Sequence, residues 1–322
     1  MEFVSPDAVI AIARNLLPAG AELLRERFEV REGGLDASRE RIIELVEGAD
    51  AVVADPAVAV DEELLRAAGP GLRVVANFAV GYDNVDLDAC RAAGVRVTNT
   101  PDVLTNATAE LALALTLAAG RLVGEAERDL RAGHWRGWDP AAYRGQELSG
   151  TTVGVVGLGR IGRRYAELLA GFDAGLLYSS RTPKPDAESR LGARRVELEE
   201  LLARADVVSL HVPASAETRH LIDAAALARM KPTAVLVNTA RGALVDLAAL
   251  AAALREGRLG AAGLDVYEGE PKVPEELLAA PRAVLTPHIG SATVRARDAM
   301  AITVAENVIA VLEGREPPNP VV

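Results

Sequence analysis

Gly157-Leu158-Gly159-Arg160-Ile161-Gly162 has the spacing G-x-G-x-x-G, follows the apolar run TVGVV, and opens the helically spaced RIGRRYAELLAGF. In a chain with 28 glycines the hexamer alone is weak evidence. Its context is stronger, because a strand, a tight turn and a helix start coincide. Glycines permit the turn, the close approach of a pyrophosphate and close helix–strand packing, and the helix N-terminus attracts phosphates. A dinucleotide site is predicted. Such a site usually carries Asp or Glu at the end of the second strand, about 20 residues on, to hold the ribose 2′-OH of NAD. Here that strand ends Tyr178-Ser179-Ser180-Arg181-Thr182, with Asp173 too early and Asp186 beyond Pro183 and Pro185. Hydroxyls and a guanidinium, with Lys184 nearby, suit a 2′-phosphate. NADP(H) is therefore expected to be preferred, with NAD(H) usable.

Hydride transfer to a carbonyl needs a proton donor, and an oxoacid also needs a carboxylate clamp. The histidines are His134, His211, His220 and His288. His288 ends the run LTPH and His211 precedes Val212-Pro213, so each lies near a strand end, where open parallel sheets bind ligands. Position alone does not separate them, and either could be a structural histidine. A carboxylate partner favours the protonated form of a donor histidine. Glu268 and Glu270 both follow the strand Leu264-Asp265-Val266 and are both candidates. Arg241 directly follows Asn238-Thr239-Ala240 and can clamp a carboxylate bidentately.

These residues need a scaffold of parallel strands. VIAIA at 9–13, DAVVAD at 50–55, LRVVANF at 72–78 and VRVTNT at 95–100 alternate with helical runs. So do TVGVVGL from 152, GLLYSS at 175–180, DVVSLHV at 206–212, AVLVNTA at 234–240, AAGLDV at 261–266 and AVLTPH at 283–288. Short apolar strands between amphipathic helices indicate βαβ units. Asn106–Leu130 reads as mostly helical, and a long helix is expected over 292–313. If that helix returns to the first series, the first domain is discontinuous, with crossovers near 99–101 and 288–291. A two-strand hinge of that kind suits cleft closure.

Length suggests about two domains for 322 residues. The net charge of −11 disfavours nucleic acid as a partner. One cysteine, Cys90, excludes an internal disulfide and a cysteine-based metal cluster, which fits a reducing cytoplasm. No metal is expected. Val9–Ala13 is too short for a signal peptide, and Ala107–Ala119 carries Glu110 and is too short to span a bilayer. A soluble, cytoplasmic protein is expected.

Seven segments together resemble the D-isomer-specific 2-hydroxyacid dehydrogenases, in particular the glyoxylate/hydroxypyruvate reductases. They are ANFAVGYDNVD at 76–86, PDVLTNATAELA at 101–112, VGVVGLGRIG at 153–162, YSSRT at 178–182, VNTARGALVD at 237–246, AGLDVYEGEP at 262–271 and LTPHIGSAT at 285–293. The resemblance covers nearly the whole chain. It implies an α/β fold of two Rossmann-like or flavodoxin-like parallel-sheet domains with an interdomain cleft. Residues 1–99 plus 291–322 would form the substrate-binding domain, and 100–290 the dinucleotide-binding domain with a dimerisation arm at about 101–150.

The resemblance also implies roles. Arg241 would hold the substrate, His288 would protonate the carbonyl oxygen, and Glu270 would pair with His288, which selects His288 over His211 and Glu270 over Glu268. Asp265 would contact the carboxamide side of the nicotinamide. Val80 and Gly81 would offer backbone N–H groups to the substrate carboxylate. Thr105, Leu158 to Ile161, Ser180 to Thr182, Val212, Pro213, Thr239, Ala240 and Gly290 would line the cofactor, with Gly157, Gly159 and Gly162 forming the turn. A homodimer is implied, in which Trp138 reaches the partner's active site or serves as a structural aromatic. The expected reaction is reduction of a small 2-oxoacid, glyoxylate or hydroxypyruvate, with NADPH or NADH. Phosphonate oxidation and a non-enzymatic, corepressor-like dinucleotide sensor are the alternatives.

Overall fold

The computed structural model describes residues 8–322. The chain forms two compact units, Met1–Leu104 with Ser291–Val322, and Thr105–Gly290.

In the first unit five strands, β1 (Val9–Ile12), β2 (Glu29–Glu32), β3 (Ala51–Ala54), β4 (Val74–Asn77) and β5 (Arg96–Thr98), make a parallel sheet in the order β2-β1-β3-β4-β5. Strand side chains alternate between faces. Ile10, Ile12, Val53, Val74 and Ala76 therefore pack with Leu24, Val304 and Val308. Ala11, Val52, Val75 and Val97 face the opposite way, onto Ile42, Leu45, Leu64 and Leu65. The long helix Val294–Leu312 belongs to this unit, capped by Thr293, whose hydroxyl accepts from the Ala296 amide. Such a cap satisfies a donor that the helix itself leaves unpaired, and stabilises by about 1 kcal/mol.

The second unit holds β6 (Thr152–Val156), β7 (Gly175–Ser179), β8 (Arg194–Arg195), β9 (Val207–Leu210), β10 (Val235–Asn238), β11 (Ala261–Leu264) and β12 (Ala283–Leu285). All pairings are parallel, in the order β12-β11-β10-β9-β6-β7-β8. The strand order reverses between β6 and β9. The helix Thr105–Gly120 covers one face, where Ala109, Ala112, Leu115 and Ala119 pack on Val153, Val155, Val235 and Val237.

Two strands differ from expectation. β2, Glu-Val-Arg-Glu, lies at a sheet edge with no fully buried residue. β8 is two exposed arginines. Neither has the apolar run that marks a strand in sequence. The other strands stop one to three residues earlier at their C-terminal ends than the apolar runs suggest, because the chain there leaves the ladder for turns.

Cys90 is fully buried, and burial, with Asp86 nearby, pushes its thiol up to about 11. Among the described residues no single helix is long and apolar enough to cross a membrane.

Candidate active site

Register places the site. Across the second sheet, Leu285, Leu264, Asn238, Leu210, Val156 and Ser179 are successive partners in one row. The next residue of each strand is Thr286, Asp265, Thr239, His211, Gly157 and Ser180. Six segments that are distant in sequence therefore leave the sheet at one edge. That is the carboxyl edge, where doubly wound sheets bind ligands.

The glycine turn follows β6. Gly157 has φ +93°, a backbone conformation that side chains resist, and a Cβ there would lie 2.6 Å from Val212 and 2.8 Å from the His211 backbone. A Cβ on Gly162 would lie 2.1 Å from the Gly157 carbonyl oxygen. Gly159 differs, because nothing stands within 4 Å of its Cβ position. It is also the N-cap of the helix Arg160–Leu168. The turn thus combines two packed glycines with one that opens onto free space at a helix start, as a pyrophosphate cradle requires. Leu158 is buried beneath it and Ile161 packs on the same core. Farther along the edge, Thr239 is buried and its hydroxyl has no hydrogen-bond partner among the described residues. A buried orphan hydroxyl on a ligand-binding edge fits a dinucleotide group that would pair with it.

After β7, the Ser180 hydroxyl donates to the Thr182 carbonyl (2.6 Å). Arg181 and Thr182 are exposed. Asp186 is turned to Arg163 and Arg190. Arg195, on β8, donates to the carbonyls of Ser180 (3.0 Å) and Arg181 (3.2 Å). A second guanidinium therefore braces this loop. Sequence reading missed it, since two exposed arginines carry no strand signal.

At the other end of the edge, His288 Nδ1 and Glu270 Oε2 are 2.7 Å apart, with both side chains part-exposed. The other Glu270 oxygen accepts from the Tyr267 amide (2.8 Å). Burial alone would raise the Glu270 carboxyl. The hydrogen bonds from His288 and Tyr267 and the charges of His288 and Arg241 outweigh it, and the carboxyl is held below its ordinary range. With Nδ1 engaged, His288 Nε2 has no hydrogen-bond partner among the described residues. His288 has φ +52°, uncommon for a non-glycine residue. Its amide donates to the carbonyls of Asp265 (2.9 Å) and Thr286 (3.1 Å), which over-determine that conformation. Arg241 follows β10. Its guanidinium donates to the Ala240 carbonyl (2.7 Å), and its carbonyl accepts from buried Asn238 (2.8 Å).

The other acids and histidines sort themselves. Glu268 pairs with His220 (2.8 Å) and Arg219 (2.7 Å), away from His288. His134 is exposed beside Asp129. Burial pushes the His211 imidazole down to about 3, which removes it as a proton donor near neutral pH.

Asp265 is the residue that follows β11. The resemblance gives it a cofactor contact. In the structure it is fully buried, and its carboxylate accepts from the Thr286 hydroxyl (2.6 Å), the Ile289 amide (2.8 Å) and the Gly290 amide (2.7 Å). Burial raises its carboxyl despite these bonds. Asp265 thus shapes the turn that carries His288. Gly290 belongs to the same turn, and its carbonyl accepts from the Thr108 hydroxyl (3.2 Å).

Thr105 begins the helix Thr105–Gly120, and Val212 and Pro213 follow His211 out of the edge row. Residues 131–145 are all exposed, and Trp138 is 86% exposed. In the first unit, Asn99 donates to the Val80 carbonyl (2.7 Å) and Asn77 to the Gly81 carbonyl (2.8 Å). These bonds engage the carbonyls of that loop and not its amides.

A parallel sheet with a glycine turn at its switch point and an Arg, a Glu and a His on the same edge defines a nicotinamide-dinucleotide dehydrogenase. Residues 113–290 match the model of the D-isomer specific 2-hydroxyacid dehydrogenase, NAD binding domain, and the chain belongs to that family. It is 48% identical to a glyoxylate reductase of Thermococcus onnurineus over 96% of this chain and 94% of that protein. The crystal structure of a Thermus thermophilus protein superposes with a TM-score of 0.92 at 47% identity, covering 98% of this chain and 100% of that one. The NADPH-dependent glyoxylate/hydroxypyruvate reductase of Sinorhizobium meliloti, solved with NADP and malonate, gives 0.86 at 36% identity, covering 99% and 97%.

Proposed function

We propose that the chain reduces a small 2-oxoacid, glyoxylate or hydroxypyruvate, to the 2-hydroxyacid, with NADPH preferred and NADH accepted. The observation that carries this reading is the His288–Glu270 pair at 2.7 Å on the same sheet edge as Arg241. The names of the Thermococcus and Sinorhizobium relatives point to the same substrates.

The glycine turn, Ser180 to Thr182, Val212, Pro213, Thr239 and Ala240 would hold the dinucleotide, and Thr105 would contribute from its helix start. Reduced nicotinamide, when bound, supplies the hydride. Arg241 binds the substrate carboxylate and stabilises negative charge that develops on the carbonyl oxygen. Glu270 fixes the imidazole through Nδ1, so that Nε2 of His288 delivers the proton to that oxygen. Positioning and preorganised charge do most of the work.

The preference for NADPH rests on a β7 end without an acid, on exposed Arg181, and on Arg195 beside it. The exposed segment 131–145, with Trp135 60% and Trp138 86% uncovered, supports a homodimer built on that arm. Light scattering at micromolar concentration tests the assembly.

The deciding experiment is a steady-state panel of glyoxylate, hydroxypyruvate, pyruvate and phosphite with each cofactor. Reduction of glyoxylate or hydroxypyruvate, faster with NADPH, is expected. Phosphite oxidation without 2-oxoacid reduction would replace the proposal. Binding of NADPH without turnover of any substrate would mark a sensor.

A further inference from the structure

Three consecutive carbonyls in the first unit are held from within it. That of Ala79 accepts from the Thr100 amide (2.9 Å). That of Val80 accepts from the Asn99 side chain (2.7 Å), and that of Gly81 from the Asn77 side chain (2.8 Å). Asn77 and Thr100 are fully buried, so these carbonyls face the interior. The peptides joining Ala79 to Tyr82 are trans, and a trans peptide is planar with its N–H opposite its C=O. Holding the three carbonyls inward therefore turns the amides of Val80, Gly81 and Tyr82 outward. None of the three has a hydrogen-bond partner among the described residues. Val80 and Gly81 are half-buried and Tyr82 is exposed, so an outside acceptor can reach them.

The two asparagines are themselves fixed. Asn84 Nδ2 donates to the carbonyls of Asp55 and Val58 (3.0 Å each), which sets the orientation of that amide group. Its Oδ1 then accepts from Asn77 Nδ2 (3.2 Å). Asn99 follows β5 directly, and its amide donates to the Asn319 carbonyl (3.3 Å). Its carbonyl accepts from the side chain of Asn307, a fully buried residue of the long helix (3.3 Å). The Asn319 amide in turn donates to Asn307 Oδ1 (2.9 Å). Side-chain amides thus tie the 79–82 loop to the long helix and to the last residues of the chain.

We infer that Asn99 and Asn77 are positioning residues for the substrate, which hold the Val80, Gly81 and Tyr82 amides as a cradle for the carboxylate of the 2-oxoacid. Successive outward amides make an anion-binding concavity, and an ionised carboxylate is an acceptor only. The inference rests on the reading of the chain as a 2-oxoacid reductase.

The carboxylate keeps its charge through hydride transfer. Losing its contacts therefore weakens ground and transition states alike, which raises KM and leaves kcat. Asn99→Ser keeps a polar group at a half-buried position, but it is too short to reach the Val80 carbonyl. In the full-length protein it should raise the KM for glyoxylate, and the inhibition constant of the carboxylate-bearing analogue oxamate, roughly tenfold, the worth of one charge-assisted hydrogen bond. NADPH affinity and kcat should be unchanged. Unmoved constants, or a fall in kcat at unchanged KM as a merely structural loss would give, would overturn the inference and leave the reductase reading intact. Wild-type protein that neither reduces a 2-oxoacid nor binds oxamate would overturn both. Gly81-Tyr82 is the single Gly-Tyr step in the sequence, so carbonyl-13C glycine with 15N-tyrosine marks the Tyr82 amide alone. In NADPH-saturated wild type that resonance should move downfield on saturation with oxamate. A resonance that stays in place would overturn the inference even if Asn99→Ser folds poorly.

Discussion

Alanine at Gly159 and at Gly162 should separate folding from cofactor binding. At Gly162 the new Cβ would lie 2.1 Å from the Gly157 carbonyl oxygen, and real Cβ contacts essentially never fall under 3.0 Å. The turn must open by about 1 Å against backbone, and overpacking of that kind costs about 1–3 kcal/mol. For a unit of this size that lowers Tm by several degrees. The same shift displaces the turn amides, and a misplacement of about 1 Å can cost on the order of 100-fold in function. At Gly159 nothing stands within 4 Å, and φ −79°, ψ −160° is open to any residue. Exchanging glycine for alanine at an N-cap should cost less than about 1 kcal/mol. The methyl group instead fills the space the pyrophosphate would use, and losing one charge-assisted contact, about 1.5–3 kcal/mol, weakens binding tenfold or more. Differential scanning fluorimetry and NADPH titration measure the two quantities. Gly162→Ala should lose both, and Gly159→Ala only affinity. A Gly159→Ala protein that binds NADPH as wild type does would refute the cradle.

His288→Asn should lower kcat by on the order of 100-fold or more, the usual worth of a positioned proton donor, with NADPH affinity unchanged in titration. Near-normal turnover would remove His288 from the chemistry. Arg181→Ala should raise the KM for NADPH roughly tenfold and leave that for NADH alone, and equal wild-type kcat/KM with both cofactors would end the 2′-phosphate assignment. Stability should fall with acid before carboxylates titrate. The unfolded chain's His211 takes its proton near 6.5, while the folded one resists to about 3. The contribution is therefore complete above pH 6.5 and is lost as pH falls below it, by roughly 1 kcal/mol per pH unit. Urea unfolding from pH 7 to 5 should show this slope in wild type and its reduction in His211→Phe.

Much of this candidate site is legible in sequence because several of its residues follow short apolar runs. Parallel strands buried on both faces are continuous in hydrophobicity, so Thr152–Val156 and Val235–Asn238 announce themselves and their next residues. What sequence does not carry is the partner of a turn residue. Asp265 stands at a strand end, and nothing in the sequence shows the three donors at positions 286, 289 and 290 that fold back onto it. Glu268 and Glu270 both follow Val266 within one short loop, and only the pairing with His220 or His288 separates them. Arg195 was hidden because an edge strand of two residues has no period to detect.

The edge row also fixes how two of these perturbations combine. Ser180 follows β7 and Thr286 follows β12, five strand spacings apart in one register. At about 4.8 Å per spacing the separation is roughly 24 Å. No side chain spans that distance, and Arg181 and His288 share no hydrogen-bond partner among the described residues. Sites more than about 7–10 Å apart without shared partners change free energies additively, within about 0.3–0.5 kcal/mol. The kcat/KM deficit of Arg181→Ala with NADPH should therefore multiply with that of His288→Asn in the double variant. A deficit for the pair several-fold smaller than that product would mean that the 2′-phosphate end of the site governs how the proton donor is set, and the division of labour along the edge would have to be abandoned.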